Sequence, residues 1–328
     1  MNAVASASRN RWTTTFAWLL RREFWENRGG FLWSQLIAGA IVIILSTVGA
    51  VIGVVQIRGN LVTDASRIDD ASQVVRGLGT AGDAILATGF GLTSVVLAFV
   101  VFFYALGSLY DDRRDRSALF WKSLPVSDTQ TVLSKAAWAL VLAPLVAIVV
   151  GLAIGLALWA MAGLALLTTG LPHASALFTQ AHPLRIIGQV LAILPLGLLW
   201  SLPAVGWLMF CSAWVRSKPF LWAVLLPFLA CVMVSVLGAM PGLDLPIGQF
   251  WYVLVFRGLL SLAPGSWALP GLSERLEGLG DPADLLATLL GRSTELELYA
   301  RADLWIGALV GIGFIAAAIY LRRWRDEA

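Results

Sequence analysis

Six long apolar stretches dominate the pattern of hydrophobic and polar positions along the chain. Each is long enough for a transmembrane helix, which needs about 20 mainly apolar residues. They cover residues 31–56, 85–110, 136–167, 186–211, 220–240 and 302–321. Four prolines, in three of these stretches, are compatible with spanning helices, because membrane helices tolerate proline. The pattern predicts an all-α integral membrane protein with six transmembrane helices, forming a single domain over residues 1–328.

The segment before the first span has a different pattern. Within residues 12–28 the apolar side chains recur at helical spacing, with charged residues between them: Trp12, Phe16, Leu19, Leu20 and Phe24. This spacing predicts an amphipathic helix that lies on the cytoplasmic surface and leads into the first span. A simple basic flank that orients the first span is the alternative, and both can hold together.

The polar segment 111–135 separates the second and third predicted spans. It begins with six consecutive charged residues, 111–116, in which Asp112 and Arg116 have the spacing of a helical ion pair. An apolar and aromatic run follows, and Pro125 ends it. Two interpretations stay open: a docking element that passes force from a soluble partner into the helices, or a solvated turn whose aromatic rings rest among the lipid headgroups.

The start of the third span carries a helix-start signal. Ser127 and Gln130 match the S-x-x-Q capping box, in which each side chain bonds the backbone N–H of the other residue. The segment 111–126 is therefore predicted to join a transmembrane helix rigidly.

A second polar region, residues 241–301, precedes the last span and is predicted to be an external insert. Its part 247–262 is apolar and aromatic but has Arg257 near its centre. An arginine at the middle of a bilayer costs about 2.5–3.5 kcal/mol on insertion scales. We therefore expect a re-entrant or surface-lying helix here rather than a seventh span.

Composition and charge distribution agree with this layout. The chain is 59% hydrophobic and 13% charged, with a mean hydropathy of +0.80, whereas soluble domains are roughly 25% charged. Segments 1–30, 111–135, 212–219 and 322–328 hold 15 of the 23 basic residues and 8 of the 20 acidic ones. The positive-inside rule then predicts that both termini are cytoplasmic. The net charge of +3 is interpreted as topological, so no nucleic-acid partner is expected.

The sequence contains no motif of a nucleotide-binding P-loop, a zinc protease or a serine hydrolase. His173 and His182 share one predicted loop without a carboxylate close by in sequence, so ordinary loop histidines are expected, and no metal or cofactor. No carboxylate falls in the middle of a predicted span, although ion-coupled transporters usually need one. The chain is therefore expected to lack its own energy source and not to be an enzyme. Gly151, Gly155 and Gly163 could serve helix packing or face lipid.

The segment between the second and third spans resembles the permease subunit of type-2 ATP-binding-cassette exporters. The resemblance is carried by a charged turn, the pattern L-x-x-L-P-V-S and a following lysine, in the residues Asp112, Arg113, Ser117, Leu119, Leu124, Pro125, Val126, Ser127 and Lys135. The motif of residues 20–26 before the first span is similar to the interfacial helix of the same family. The helix-bearing insert before the last span also resembles the corresponding part of this family.

The resemblance implies a function and partners. Two permease copies, identical or paralogous, would pair in a bacterial inner membrane, and two cytoplasmic ATPase subunits would bind ATP and Mg²⁺ beneath them. The implied ATPase-coupling residues are Asp112, Arg113, Arg116, Leu119, Phe120, Trp121, Lys122, Leu124 and Pro125. The implied interfacial-helix residues, next to membrane lipid, are Arg22, Glu23 and Trp25.

Two other functions are open at this point. A self-sufficient secondary transporter or channel would need an ionisable relay in the spans, which the sequence does not show. A membrane-bound transferase could use polar residues of the predicted external loops, namely His173, His182, Arg257, Glu274 and Asp281, but no sequence feature brings them together.

Overall fold

The computed structural model of the protein describes residues 2–61, 71–114, 126–240, 243–268 and 298–325. Its regular structure in these ranges is helical, without a strand. Six helices are long and apolar enough to cross a membrane: Trp12–Gln56, Ser72–Arg114, Asp128–Leu167, Pro183–Trp214, Leu221–Gly238 and Ala302–Trp324. Each coincides with one predicted apolar stretch. The prediction of an all-α, multi-pass membrane protein with six spans is confirmed.

The helices follow one another with short connections where these are described. Their bounds are α1 Asn2–Arg28, α2 Ser34–Leu61, α3 Ala71–Gly107, α4 Tyr110–Arg114, α5 Asp128–Ala137, α6 Ala143–Leu167, α7 Ala176–Thr179, α8 Pro183–Trp214, α9 Leu226–Gly238, α10 Ile247–Phe250 and α11 Ala302–Arg325. Wider π-helical turns join some of them: Gly29–Trp33 between α1 and α2, Trp138–Leu142 between α5 and α6, Leu221–Leu225 before α9, and Trp251–Arg257 after α10.

Two of the π-helical turns have a local cause. Pro144 and Pro227 each lie two residues beyond such a turn. Proline has no N–H, and its ring collides with the carbonyl four residues earlier. The wider turn relieves this conflict; after Trp138–Leu142, for example, the N–H of Ala143 bonds the carbonyl of Trp138, five residues back. These turns interrupt the helical hydrogen-bond ladder without ending the helix.

Close helix contacts depend on glycine at two crossings. A Cβ atom on Gly89 of α3 would overlap the backbone of Gly151 and Gly155 on α6. A Cβ atom on Gly206 of α8 would overlap the backbone of Gly311 on α11. The question that the sequence left open is settled for Gly151 and Gly155, which serve packing. Gly163 likewise has no room for a Cβ atom, because the ring of Phe178 lies against it.

The N-terminal helix differs in two ways from a simple surface helix. It continues into the first span through Gly29–Trp33, with no loop between them. The face that carries Leu19 and Phe24 packs on the other helices, and the rings of Phe24 and Trp138 are 5.7 Å apart. Trp18 and Trp25 lie on the exposed face. The helix is thus amphipathic, but part of its apolar face is covered by protein.

The helical part of the segment before the last span, Ile247–Arg257, is eleven residues long. At about 1.5 Å per residue it extends about 16 Å, whereas the hydrocarbon core is about 30 Å thick. It is too short to cross the membrane alone, in agreement with the expectation drawn from Arg257. Residues 269–297, which include Glu274 and Asp281, lie outside the described residues.

Candidate functional site

A buried group of charges lies where α1, α3, α4, α5 and α11 meet. Its centre is Lys135, 3% exposed, and Glu23, 0% exposed. The Lys135 Nζ atom is 3.1 Å from Glu23 Oε1 and 3.6 Å from Asp112 Oδ1. The geometry of the first contact is that of an ion pair without hydrogen-bond alignment.

Two more side chains extend this group. The hydroxyl of Tyr104 donates a hydrogen bond of 2.8 Å to Glu23 Oε2. Arg322, near the end of α11, bridges two carboxylates: its Nη1 atom is 3.4 Å from Asp112 and its Nε atom is 3.1 Å from Asp128. We call the six residues Glu23, Tyr104, Asp112, Asp128, Lys135 and Arg322 the charge network.

The charge network holds both ends of the segment 111–127. On the N-terminal side, Asp112 is bound by Lys135 and Arg322. On the C-terminal side, Ser127 forms the predicted capping box with Gln130, with N···O distances of 3.2 and 3.3 Å, and Asp128 meets Arg322. The prediction that this segment joins the third span through a capping box is confirmed.

The neighbouring residue Arg113 fixes the same segment to α8. Its guanidinium donates to the carbonyl oxygens of Ser212 and Val215. In return, the hydroxyl oxygen of Ser212 accepts hydrogen bonds from the backbone N–H groups of Leu109 and Tyr110, at 3.0 and 2.9 Å. The start of the segment is therefore tied to the ends of the fourth and last spans.

A cleft of about 690 Å³ opens beside the charge network, between α1 and α3. Arg22, Asp111 and Asp112 line its polar part, and exposed Phe99 and Phe103 line its apolar part. The cleft gives solvent access to a group of ionisable side chains that are otherwise buried.

The structure places the sequence-predicted residues unequally. Glu23 and Asp112 belong to the charge network, and Arg113 binds the end of α8 next to it. Arg22 and Trp25 lie beside them on α1. The Nε atom of Arg22 is 2.6 Å from Glu26 Oε1, and the guanidinium of Arg28 lies 5.4 Å from the centre of the Trp25 ring. The remaining coupling candidates lie outside the described residues: Arg116, Leu119, Phe120, Trp121, Lys122, Leu124 and Pro125.

Sequence reasoning missed how deeply the charges are buried. The resemblance implies that Glu23 belongs to an interfacial helix next to membrane lipid, yet its side chain is fully buried in the protein. The spacing did carry a signal, because Glu23 follows Leu19 by four residues and so shares its helix face. The roles of Tyr104, Ser212 and Arg322 had no such signal, since their partners are 81 to 210 residues away in sequence.

A second group of polar residues surrounds Arg257 at the other end of α11. We call Trp200, Tyr252, Arg257, Arg301 and Asp303 the Arg257 cluster. The guanidinium of Arg257 lies 3.7 Å from the centre of the Trp200 ring. It donates to the carbonyl oxygens of Trp200 and Asp303, both at 3.2 Å.

The carboxylate of Asp303 is engaged by other donors. Tyr252 donates to it at 2.7 Å and Arg301 at 2.9 Å. Burial, with the hydrogen bond to Asp303, raises the pKa of the Tyr252 hydroxyl to about 12, so that the hydroxyl stays protonated. Asp303 and Arg322 are 19 residues apart on one helix, or about 28 Å. The two polar groups are thus separated by roughly the thickness of a hydrocarbon core.

The predicted loop histidines lie apart from both groups. His182 does have a carboxylate near it, since its Nδ1 atom is 3.5 Å from Asp83 and its backbone N–H bonds the same side chain. The described part of the chain contains no group of three or more His, Cys, Asp or Glu side chains placed to hold a metal ion. His173 lies in a tight turn with φ of 65°.

No family model, no curated protein and no solved structure matches the chain.

Proposed function

We propose that the protein is the transmembrane subunit of an ATP-driven exporter, coupled to separate cytoplasmic ATPase subunits through the segment 111–126. One observation carries the proposal. Both ends of this segment are held in a buried charge network that also ties down the helices before the first span and at the end of the last one. A force on the segment would reach several spans at once.

The burial of these charges supports a mechanical role. Removing one partner from a buried ion pair costs about 3–5 kcal/mol, because the other charge is left uncompensated. A segment with such anchors moves together with its helices rather than independently of them. A solvated turn needs no anchor of this kind.

Several finer features belong to the same proposal. Both termini and the segment 111–135 face the cytoplasm of a bacterial inner membrane. The helix Ile247–Arg257 lies on the external side, either re-entrant or along the membrane surface. Two copies of the chain, or this chain and a paralogue, form the translocation path between them, and ATP and Mg²⁺ are bound by the ATPase subunits.

The first experiment is purification of the tagged protein from its own membranes in a mild detergent. We expect a soluble partner that carries a P-loop motif, and ATP hydrolysis by the complex but not by the isolated chain. Nucleotide hydrolysis by the purified single chain would overturn the proposal.

A matched pair of variants tests the docking surface. Lys122→Glu reverses a charge in the proposed coupling segment, and we expect loss of the ATPase partner. Arg76→Glu reverses an exposed charge at the start of α3, which the proposal places on the external side, so the partner is retained. Equal effects of the two variants on partner binding would contradict the assignment of the segment.

One observation favours a secondary transporter instead. The charge network contains a buried carboxylate and a buried ammonium next to a solvent-accessible cleft, and ionisable groups within membrane proteins often relay ions. The group lies at one end of the spans rather than at their middle. Ion-gradient-driven flux by the isolated protein in liposomes would support this second function and exclude the first.

A further inference from the structure

A groove opens on the side of the helices at the end that carries the Arg257 cluster. It lies between α8, α9, α11 and the turn Trp251–Arg257, and its volume is about 420 Å³. That size falls within the usual range for small-molecule sites, about 300–1,000 Å³. The walls are almost entirely apolar and include Trp207, Ala230, Val253, Ile306, Val310 and Phe314.

The groove is open on the outer surface of the helices rather than toward the interior of the protein, a surface that faces lipid if the helices span a membrane. Val253, Ile306 and Val310 line it and are 58%, 61% and 47% exposed. Ile306 and Val310 belong to α11, a candidate membrane span, and Val253 belongs to the adjacent turn Trp251–Arg257. A molecule in the groove would therefore enter sideways, from the bilayer.

The length of the groove matches one leaflet. Along α11 it runs from Asp303 to Phe314, which is eleven residues or about 16 Å. Half of the hydrocarbon core is about 15 Å. Asp303 is the second residue of α11, so the groove extends from the end of the span to about its middle. A lipid acyl chain covers the same distance.

Among the described residues, the polar end of the groove has more cations than carboxylates around it. Arg257 and Arg301 face a single carboxylate, that of Asp303, which already accepts hydrogen bonds from Tyr252 and Arg301. The acceptors of Arg257 are backbone carbonyls and an aromatic ring, all neutral. Within the described ranges, no carboxylate oxygen lies within 4 Å of its guanidinium. Asp303 is also paired with Arg301, so its single negative charge is shared between two guanidinium groups. A buried cation whose counter-ion is shared favours a further anion nearby.

An apolar slot of one leaflet's depth with a cationic end is complementary to an anionic amphiphile. We propose that this groove binds an anionic phospholipid, with one acyl chain along α11 and its phosphate at the end lined by Arg257 and Asp303, next to Arg301. The inference uses the membrane position of the helices and the geometry of the groove. It does not depend on the exporter function or on an ATPase partner.

The test is a lipid titration of the purified protein, followed by native mass spectrometry. Dioleoyl-phosphatidylglycerol and dioleoyl-phosphatidylcholine have the same acyl chains and differ in net charge. We expect one tightly held lipid and about tenfold preference for the anionic one, as expected for one added ionic contact. Equal binding of the two lipids would overturn the proposal.

Matched tryptophan substitutions localise the site. Val310→Trp fills the groove, whereas Leu309→Trp places the same ring on an adjacent, 68% exposed position that does not line it. We expect about tenfold weaker lipid binding for the first variant and unchanged binding for the second. If Val310→Trp fails to fold, Ile306→Trp fills the groove from its open side. Equal lipid binding by the groove variant and the Leu309→Trp control would overturn the proposal.

The headgroup contact has its own variant. Arg301→Gln removes one positive charge at a half-exposed position and leaves the apolar walls unchanged. It should abolish the preference for phosphatidylglycerol over phosphatidylcholine while the groove still holds a lipid. An unchanged preference would show that the phosphate lies elsewhere and would overturn this part of the proposal.

Discussion

Two buried cations, Lys135 and Arg257, lie at opposite ends of the spans and are stabilised in different ways. They are similarly buried, 3% and 5% exposed. Lys135 lies between two carboxylates, those of Glu23 and Asp112. Arg257 lies over an aromatic ring and donates to two backbone carbonyls.

The difference teaches what each site can do. The partners of Lys135 come from separate helices. The ion pairs that neutralise its charge therefore also connect these helices, and the role of Lys135 is structural or mechanical. The hydrogen-bond partners of Arg257 are neutral, and the nearby Asp303 carboxylate is shared with Arg301, so the charge of Arg257 is only partly cancelled. The first arrangement holds helices together, and the second retains an electrostatic attraction for an anion from outside the chain.

The largest expected effect is at the charge network. Lys135→Met leaves two buried carboxylates without their shared cation, and we expect the free energy of unfolding to fall by about 3–5 kcal/mol. Unfolding in mixed detergent micelles measures it. Arg28→Met is the control, because it removes an exposed cation of α1 that contacts the Trp25 ring, and it should cost less than about 1 kcal/mol.

A double variant checks the reason for this effect. Adding Glu23→Gln to Lys135→Met removes one of the stranded charges and should recover part of the lost stability. If the double variant is no more stable than the single one, the loss comes from packing and not from charge.

The second effect, at Arg257, should be smaller. Arg257→Met removes the contact with the Trp200 ring and leaves two carbonyls with one hydrogen bond fewer, at a cost of about 2 kcal/mol. Asp303 loses one favourable charge interaction but keeps its ion pair with Arg301, which is why the cost stays below that of Lys135→Met. The same unfolding measurement compares them. A loss as large as that of Lys135→Met would reveal a carboxylate partner of Arg257 and remove the contrast between the two ends.

Gly307→Ala disturbs the same region by steric means. The added Cβ atom would overlap Nη2 of Arg257, and displacing a buried guanidinium costs about 1–2 kcal/mol, as for other overpacked sites. Gly313→Ala is the control on the same helix, since nothing lies within 4 Å of its added Cβ. Thermal unfolding should separate them, with the control equal to or above the wild type because alanine favours the helix. Equal melting temperatures would contradict the packing of Arg257 against α11.

The smallest effect concerns the local anchor of the segment 111–127. Ser127→Ala removes the helix cap and should cost about 1 kcal/mol. Thr129→Ala, at an exposed position two residues later, provides the control. Hydrogen exchange at the first turn of α5 should rise only in the first variant. Equal exchange in both variants would show that the charge network, and not the cap, holds this end.

The elements visible from sequence were those with a local cause. The six spans follow from apolar length, and the start of α5 follows from the spacing of Ser127 and Gln130. Arg257 correctly argued against a seventh span. In each case the physical cause, burial in lipid or a hydrogen bond within one turn, acts over a few residues.

The candidate site was predicted less completely, because its contacts join distant parts of the chain. The predicted helical ion pair of Asp112 and Arg116 stays a prediction, whereas the partners Lys135 and Arg322 of Asp112, 23 and 210 residues away, were not visible in the sequence. Arg116 itself lies outside the described residues. Which carboxylate meets which cation is decided by how the helices pack, and no spacing rule contains that information.

The continuous helix from residue 2 to residue 61, which includes the π-helical turn Gly29–Trp33, has a mechanical consequence. Its 60 residues amount to about 90 Å, three times the hydrocarbon thickness. No loop separates the N-terminal part from the first span. A tilt of the N-terminal part is therefore passed on to the first span. The adjacent Gly29 and Gly30 lie nearly two turns beyond Glu23, so the junction between the two parts lies close to the buried charge that holds the N-terminal part in place.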